Sequence, residues 1–187
     1  RYRDPIVSEG DLVIIISQSG ETADSLAAMR LAKKLGAETL AIVNVKGSSI
    51  AREADMLIYT HAGPEIAVAT TKGYTTQLTV LYLFALYAAK KMETVDDSTW
   101  RKLLSALKAL PKQIQQALDM NPGIAQLAKK YHSTCSMFFI GRNTDYAVAL
   151  EGALKMKEIS YIHAESYAAG ELKHGTIALI CEGQPVI

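Results

Sequence analysis

The stretch DLVIIISQSGET, residues 11–22, predicts both the start of the fold and a candidate site. Its apolar, β-branched half is typical of a buried strand, and the small residues after it indicate a turn into a helix N-terminus. Backbone N–H groups without helical partners and the positive end of the helix dipole converge at such a turn. Ser17, Gln18, Ser19 and Thr22 add side-chain donors, and the turn holds no Lys or Arg. The pattern therefore favours a small phosphorylated metabolite over a nucleic-acid backbone.

The same turn admits a purely structural interpretation, in which Ser19 caps the helix and Ser17 fills the turn. The concentration of donor side chains favours the phosphate site over that alternative. Glu21 fits least well, because a carboxylate beside a phosphate is repulsive. We expect Glu21 to point away from the ligand and to stabilise the helix N-terminus, by a few tenths of a kcal/mol up to about 1 kcal/mol.

The composition is that of a globular protein with a sizeable core: 187 residues, 49% hydrophobic and 21% charged. The net charge is +1 and the basic residues cluster only as lysine doublets, which argues against nucleic acid as a partner. The longest apolar run, residues 78–89, is shorter than the about 18 residues of a membrane span, so we expect a core helix and no membrane association. Cys135 and Cys181 stand far apart in apolar stretches, which predicts reduced core cysteines in a cytoplasmic protein.

Strands and helices alternate in the first half of the chain. The predicted strands cover residues 11–17, 39–43 and 56–59, and the predicted helices between them cover residues 22–35 and 50–54. Gly36 is expected to end the first helix as its C′ residue. This spacing indicates βαβ units and a parallel sheet, hence an α/β fold in which ligands bind at the carboxyl ends of strands.

Long helices follow, and then the βα pattern restarts. Helices are predicted over residues 66–91, over 100–118 with a kink at Pro111, and over 121–131. The restart predicts a strand at 135–140, helices at 147–160 and 167–173, and a strand at 177–181. We interpret the chain as two related units, residues 1–95 and 123–187, joined by a helical connection at 96–122. Both units are expected to continue beyond the ends of this chain.

A second candidate site combines a helix face with the bend that follows it. Glu151, Lys155 and Glu158 are spaced four and three apart, so they share one face. Such a stripe is usually a solvated ladder of ion pairs, each worth about 0.2–0.5 kcal/mol. Residues 161–175, however, gather two His, two Glu and one Lys in a segment punctuated by glycine. Acid–base groups concentrated at a bend are more often part of a site, and His174 is placed to approach a ligand closely.

A carboxylate on a rigid helix, a nearby Lys, a His in a bend and a phosphate anchor together fit the interconversion of an aldose and a ketose phosphate. That reaction needs a base that moves a proton between C1 and C2, a group that opens the sugar ring, and a group that stabilises charge on the oxygens. It requires no metal and no redox cofactor. The sequence has no metal-ligand spacing and neither a GxGxxG nor a GxxxxGK[ST] motif.

Three segments, residues 17–24, 65–78 and 151–175, resemble the sugar-isomerase (SIS) half of the glucosamine-6-phosphate synthases, the glutamine–fructose-6-phosphate amidotransferases. The resemblance implies two SIS subdomains of three-layer, flavodoxin-like α/β architecture, no cofactor, and a homodimer whose sites draw on both subunits. It also implies an N-terminal glutaminase domain in the full-length protein. We therefore expect this piece alone to be inactive or poorly active.

The resemblance assigns roles at the phosphate turn and at one further loop. Ser17, Gln18, Ser19 and Thr22 would hold the phosphate of fructose 6-phosphate. Thr70 stands at a sugar-contacting position where the family commonly has Ser, so it keeps the hydroxyl and adds a methyl group.

The resemblance also assigns the chemical steps. Glu158 matches the base that transfers the proton between C1 and C2, and Lys155 matches a lysine that contacts the sugar and assists that transfer. His174 matches the histidine that opens the ring and that belongs to the neighbouring subunit's site. Glu151 matches no chemical step. Thr176 replaces the Pro that usually follows the His-Gly pair.

Two other functions remain open at this point. One is a non-catalytic SIS module that binds a phosphosugar for regulation, and the other is an SIS isomerase or deaminase that works without a glutaminase. The phosphate turn fits all three functions equally, whereas residues 151–175 favour the synthase, which makes glucosamine 6-phosphate from fructose 6-phosphate.

Overall fold

The computed structural model describes residues 4–187. The chain divides into two compact units, the first extending to Ala109 and the second running from Leu110 to Ile187.

The first unit is built on a parallel sheet of three strands in the order β1-β2-β3. The strands are β1 (Leu12–Ser17), β2 (Glu38–Val43) and β3 (Met56–Tyr59), with helices α1 (Ala23–Lys34) and α2 (Ser49–Glu53) as the crossovers. The register places Ile15 opposite Ala41, and Ile42 opposite Ile58. The predicted βαβ arrangement is confirmed, with element ends that differ by at most one residue from those expected.

The core of this unit lies between the sheet and α1. Met29, Ala41, Val43 and Ile50 are fully buried there. Burying a large apolar side chain such as that of Met29 or Ile50 contributes about 1.5–3 kcal/mol. Helix α1 ends in a Schellman motif, in which the N–H groups of Gly36 and its successor bond back to the last turn. Gly36 has φ +87°, so the expected C′ glycine is confirmed.

Two longer helices complete the first unit and lead into the second. They are α3 (Lys72–Lys91) and α4 (Asp97–Asp119), and Pro111 lies inside α4. The prediction that a helix begins at Ile66 was wrong, because residues 66–71 form a loop in which Ile66 and Val68 are fully exposed. The helix starts where the Glu65 carboxylate accepts the backbone N–H of Gly73.

The second unit contains α5 (Asn121–Tyr131), β4 (Ser136–Gly141), α6 (Thr144–Ser160) and β5 (His163–Ala168). Strands β4 and β5 are parallel, with Ser136 opposite His163 and Gly141 opposite Ala168. The chain end pairs with the other edge of β4, since Ile187 N–H donates to Phe138 O at 2.8 Å and Phe138 N–H donates to Pro185 O at 3.0 Å. Met137, Phe139, Ala153 and Ala164 form the core of this βαβ unit.

Two predictions for the end of the chain were wrong. Residues 167–173, predicted as a helix, include the end of β5, a turn and the start of a short 3₁₀ helix (Leu172–His174). Residues 177–181, predicted as a strand, lie mostly in a second 3₁₀ helix (Thr176–Leu179). An apolar run forms a strand only where a neighbour completes its hydrogen bonds, and here local bonds such as Ala178 N–H to Gly175 O close 3₁₀ turns instead.

The expectation of core cysteines was also wrong, because Cys135 and Cys181 are both exposed. Cys135 precedes β4 and Cys181 follows the second 3₁₀ helix, so neither lies within the regular structure that buries its neighbours. Within residues 4–187, no helix is both long enough and apolar enough to cross a membrane.

Candidate functional site

The candidate phosphate turn lies at the carboxyl end of β1, directly before α1. The buried Ser17 Oγ accepts the backbone N–H of Gly20 at 3.0 Å and lies 3.1 Å from Thr22 Oγ1. Ser19 Oγ accepts the backbone N–H of Glu21 at 3.2 Å. Each of these serine hydroxyls accepts a bond and still carries its own proton, so it can also donate. The turn is therefore braced by the residues that were expected to bind the phosphate.

The structural interpretation of the turn holds only in part. Ser17 does fill the turn, as that alternative expected. Ser19 does not cap α1, because the N-cap is Thr22, whose side chain makes no capping hydrogen bond. The N-cap side chain of α1 therefore does not accept a hydrogen bond from the backbone N–H groups of the first helical turn, as N-cap side chains usually do.

Glu21 points away from the turn but not toward the expected helix. Its Oε1 accepts the backbone N–H of Ser49 at 2.8 Å, at the start of α2 and not of α1. Hydrogen bonds from Ser49 lower the pKa of Glu21 below its ordinary value, with a smaller contribution from the charge of Arg52. The carboxylate that fitted least well in a phosphate site therefore tethers the turn to the next βα connection.

The turn is also packed tightly against that connection. The Gly20 carbonyl accepts the N–H of Ile50 at 3.0 Å, and Gly20 has φ +67°. A Cβ at Gly20 would lie 2.0 Å from Ser48 Oγ, so no other residue fits without displacement. Ser48 is buried and its hydroxyl has no hydrogen-bond partner.

The structure brings Gln18 and Thr70 together, although they are far apart in the sequence. Both pack around Gly73 in the first turn of α3: a Cβ there would lie 3.4 Å from Gln18 Cγ and 2.8 Å from Thr70 Cγ2. Glu65 Oε2 accepts the Gly73 N–H at 3.2 Å and fixes the same turn. The two segments that carry the candidate phosphate and sugar contacts thus meet at one place in the first unit.

Asn44 is a residue of this site whose role the sequence analysis missed. Its backbone N–H donates to Gln18 O at 3.2 Å, and its side chain holds the segment after β3 through Thr60, Ala62 and Gly63. Asn44 follows directly after the buried strand β2, and a polar residue in that position is the signal that could have indicated it.

A separate apolar cavity of about 660 Å³ lies between β3 and α3. Its walls include Leu57, Val80, Leu83 and Phe84. Because these walls offer few hydrogen bonds, this cavity is not the place for a phosphosugar.

The second unit places Lys155 between two carboxylates on α6. Lys155 Nζ lies 2.5 Å from Glu158 Oε2 and 3.6 Å from Glu151 Oε1. The hydrogen bond to Glu158 is the main reason that the pKa of Lys155 is raised, and the charge of Glu151 adds to it. The pair formed by Lys155 and Glu158 therefore joins a permanent cation to a carboxylate in a hydrogen-bonded unit.

His174 stands apart from this pair within the second unit. Its Nδ1 lies 2.8 Å from Glu171 Oε2, and its exposed ring belongs to the 3₁₀ helix that follows the carboxyl end of β5. Helix α6 starts at the carboxyl end of β4, and Glu158 lies about 21 Å along its axis from Thr144. His174 thus follows the carboxyl end of β5, the Lys155–Glu158 pair lies toward the C-terminal end of α6, and no hydrogen bond or ion pair among residues 4–187 joins the two groups.

Comparisons with known proteins match most or all of this chain. The family model described as SIS domain matches residues 1–87 and 130–187. The glutamine–fructose-6-phosphate aminotransferase [isomerizing] of Clostridium tetani is 56% identical over 187 residues, all of this chain and 31% of that protein. The protein of the same description from Methanosarcina acetivorans is 52% identical, and the chain covers 30% of it. The chain thus spans about a third of the length of these curated relatives.

Solved structures share the fold along nearly the whole chain. The C-terminal domain of glucosamine-fructose-6-phosphate aminotransferase from Francisella tularensis has a TM-score of 0.96 at 44% identity, covering 99% of this chain and 52% of that one. Glucosamine-6-phosphate deaminase from Thermotoga maritima, at 24% identity and a TM-score of 0.73, covers 98% of this chain and 53% of that one, and shares the fold alone. The parallel α/β architecture with its SIS topology is thereby confirmed, and the chain belongs to the SIS domain family.

Proposed function

We propose that this chain is the sugar-phosphate isomerase part of a longer glutamine–fructose-6-phosphate aminotransferase. In that protein it binds fructose 6-phosphate, and ammonia released from glutamine by an N-terminal glutaminase domain replaces the oxygen at C2. The product is glucosamine 6-phosphate. Relatives of this description match the chain from end to end, which supports the proposal.

The phosphate is held at the turn after β1. Ser17, Ser19 and Thr22 donate hydroxyl protons to the phosphate oxygens, together with Gln18 and the N-terminus of α1. The absence of Lys and Arg from residues 17–22 suits a ligand that must leave after each turnover. Thr70 contacts the sugar from the neighbouring loop, where it already packs beside Gly73.

The Lys155–Glu158 pair carries the proposal for catalysis. Glu158 removes a proton from C1 and returns it to C2 while the C1 hydroxyl proton passes to the imine nitrogen, so that the C2 imine becomes an amine and C1 becomes an aldehyde. Lys155 stays protonated and donates to the sugar oxygen that gains negative charge. His174 transfers the proton that opens the ring, and these proton transfers call for no cofactor.

We also propose that the working unit is a homodimer. The order of the elements supports this, because His174 follows the carboxyl end of β5 whereas Glu158 lies in the last turn of α6, which runs back from the carboxyl end of β4. The neighbouring subunit then supplies the histidine. We further propose a cytoplasmic location, where phosphorylated sugars and glutamine are both present.

A regulatory module that only binds a phosphosugar remains the second candidate. It would need the turn after β1 but would have no use for a hydrogen-bonded acid–base pair on α6. That pair is the observation that favours the enzyme.

The test is Glu158→Gln in the full-length protein, assayed for formation of glucosamine 6-phosphate. We expect kcat to fall by about 10²–10⁴-fold while fructose 6-phosphate still binds. Glu151→Gln is the matched control, because Glu151 also faces Lys155 on the same helix but at the longer distance of 3.6 Å. Unchanged synthesis in Glu158→Gln would contradict the proposed mechanism, and unchanged synthesis in the control would agree with it.

A further inference from the structure

We propose that Gly73 is a positioning residue that fixes the direction of the Thr70 hydroxyl, so that Thr70 and Gly73 act as a matched pair in recognition of the sugar. This inference rests on the proposed function, because it takes Thr70 as a contact of the substrate. It concerns a residue without a side chain, which acts on Thr70 through the space that it leaves.

The space beside Gly73 is filled by the Thr70 methyl group. A Cβ at position 73 would lie 2.8 Å from Thr70 Cγ2, well inside the about 3.5–4.0 Å at which two carbon atoms pack. Gly73 is buried at the start of α3, so the clash cannot be relieved by turning toward solvent. Thr70 can therefore hold this position only while residue 73 has no side chain.

The other neighbours leave no easy way for the helix to shift. A Cβ at position 73 would also lie 3.2 Å from Glu65 Oε2, which is closer than ordinary packing, and 3.4 Å from Gln18 Cγ. Glu65 is further held by its hydrogen bond from the Gly73 N–H. The group that can move at the lowest cost is the Thr70 side chain, through rotation about χ1.

Rotation of Thr70 would alter its chemistry as well as its packing. The methyl and the hydroxyl share one Cβ and occupy staggered positions about 120° apart, so displacing the methyl also redirects the hydroxyl. A serine at position 70 has no methyl and could keep its hydroxyl in place beside a larger residue 73. The pair therefore controls the hydroxyl that faces the sugar and leaves the hydroxyls of the phosphate turn alone.

The experiment uses four forms of the full-length protein: wild type, Gly73→Ala, Thr70→Ser and the double variant. Each is titrated by calorimetry with fructose 6-phosphate and, separately, with inorganic phosphate. Gly123→Ala is the matched control, because Gly123 also lies in the first turn of a helix but a Cβ there meets nothing within 4 Å.

We expect Gly73→Ala to weaken binding of fructose 6-phosphate about tenfold, as for one lost hydrogen bond, and to change phosphate binding less than about twofold. Thr70→Ser and the double variant should both bind the sugar phosphate within about threefold of wild type, and Gly123→Ala should bind as wild type. Restoration by the smaller residue at 70 is a result that a general loss of stability would not produce.

The matched pair is contradicted if Gly73→Ala binds like wild type, or if the double variant binds as weakly as Gly73→Ala. Should Gly73→Ala fail to fold, the double variant still decides: a folded and binding double variant supports the pair, and an unfolded one overturns it. A folded wild-type protein that binds no fructose 6-phosphate would instead overturn the proposed function itself.

Discussion

Glu21 Oε1 accepts the backbone N–H of Ser49 at 2.8 Å, so the carboxylate of the candidate phosphate turn is held by the following βα connection. Together with the bond from Ile50 N–H to Gly20 O, it ties the loop after β1 to the loop after β2. The turn therefore has its shape before any ligand arrives, and preorganised donors lose less entropy on binding.

This tether predicts a specific pH dependence. The pKa of Glu21 is lowered in the folded chain from its ordinary value of 4.5, mainly by the Ser49 hydrogen bonds. The ionised group therefore stabilises the fold above the ordinary value, and this contribution disappears as pH falls through the lowered pKa. Urea unfolding between pH 7 and pH 3 should show wild type more stable than Glu21→Gln at neutral pH, with the difference shrinking as the acid limit is approached. A constant difference across that range would contradict the tether.

The close approach of Gly20 to Ser48 predicts that a side chain at position 20 lowers the stability of the fold. Gly47 is a matched control that separates the cost of backbone strain from the cost of the clash with Ser48. Gly20 (φ +67°) and Gly47 (φ +71°) share a left-handed backbone, but a Cβ at Gly47 meets nothing within 4 Å. Gly47→Ala should cost only the backbone strain, about 1–2 kcal/mol. Gly20→Ala should cost at least about 1 kcal/mol more, because of the clash with Ser48. Equal unfolding free energies for the two variants would show that the turn tolerates a side chain there.

The separation of His174 from Glu158 predicts complementation between two inactive proteins. Full-length His174→Ala and Glu158→Gln should each lose synthesis of glucosamine 6-phosphate. After unfolding together and refolding as mixed dimers, half of the dimers carry one of each subunit and one complete site. Activity should then recover to about a quarter of the wild-type value. Dimers that form but recover no activity would mean that one subunit supplies both residues to its own site.

Local pattern was enough to predict the parallel sheet of the first unit and the turn after β1. The run before Ser17 is apolar and β-branched, and Gly36 ends a helix of ordinary amphipathic spacing, so neighbours in sequence decide these elements. Local pattern did not predict the strand at residues 163–168. Their sequence HAESYA is polar and is more typical of a bend. It forms β5 because it pairs with an edge of β4, with Ser136 opposite His163. Such pairing depends on the whole unit and leaves no local signal.

In the candidate site, too, local spacing predicted some features, whereas contacts between separate loops were not predicted. The hydroxyl groups of the turn and the Glu–Lys–Glu stripe of α6 follow from spacing, and both groups lie where their elements predict. The partner of Glu21, the role of Asn44 and the crowding of Thr70 against Gly73 depend on residues brought together from separate loops. No periodicity in the sequence encodes those contacts.

The roles of the turn after β1 and of Glu158 are tested most directly by calorimetric titration of the full-length protein with fructose 6-phosphate, repeated with Ser19→Ala and with Glu158→Gln. We expect wild type to bind in competition with inorganic phosphate and Ser19→Ala to bind at least about tenfold more weakly. Glu158→Gln should bind as wild type but form product at least about 100-fold more slowly. Binding that is unaffected by Ser19→Ala would contradict the placement of the phosphate at the turn after β1.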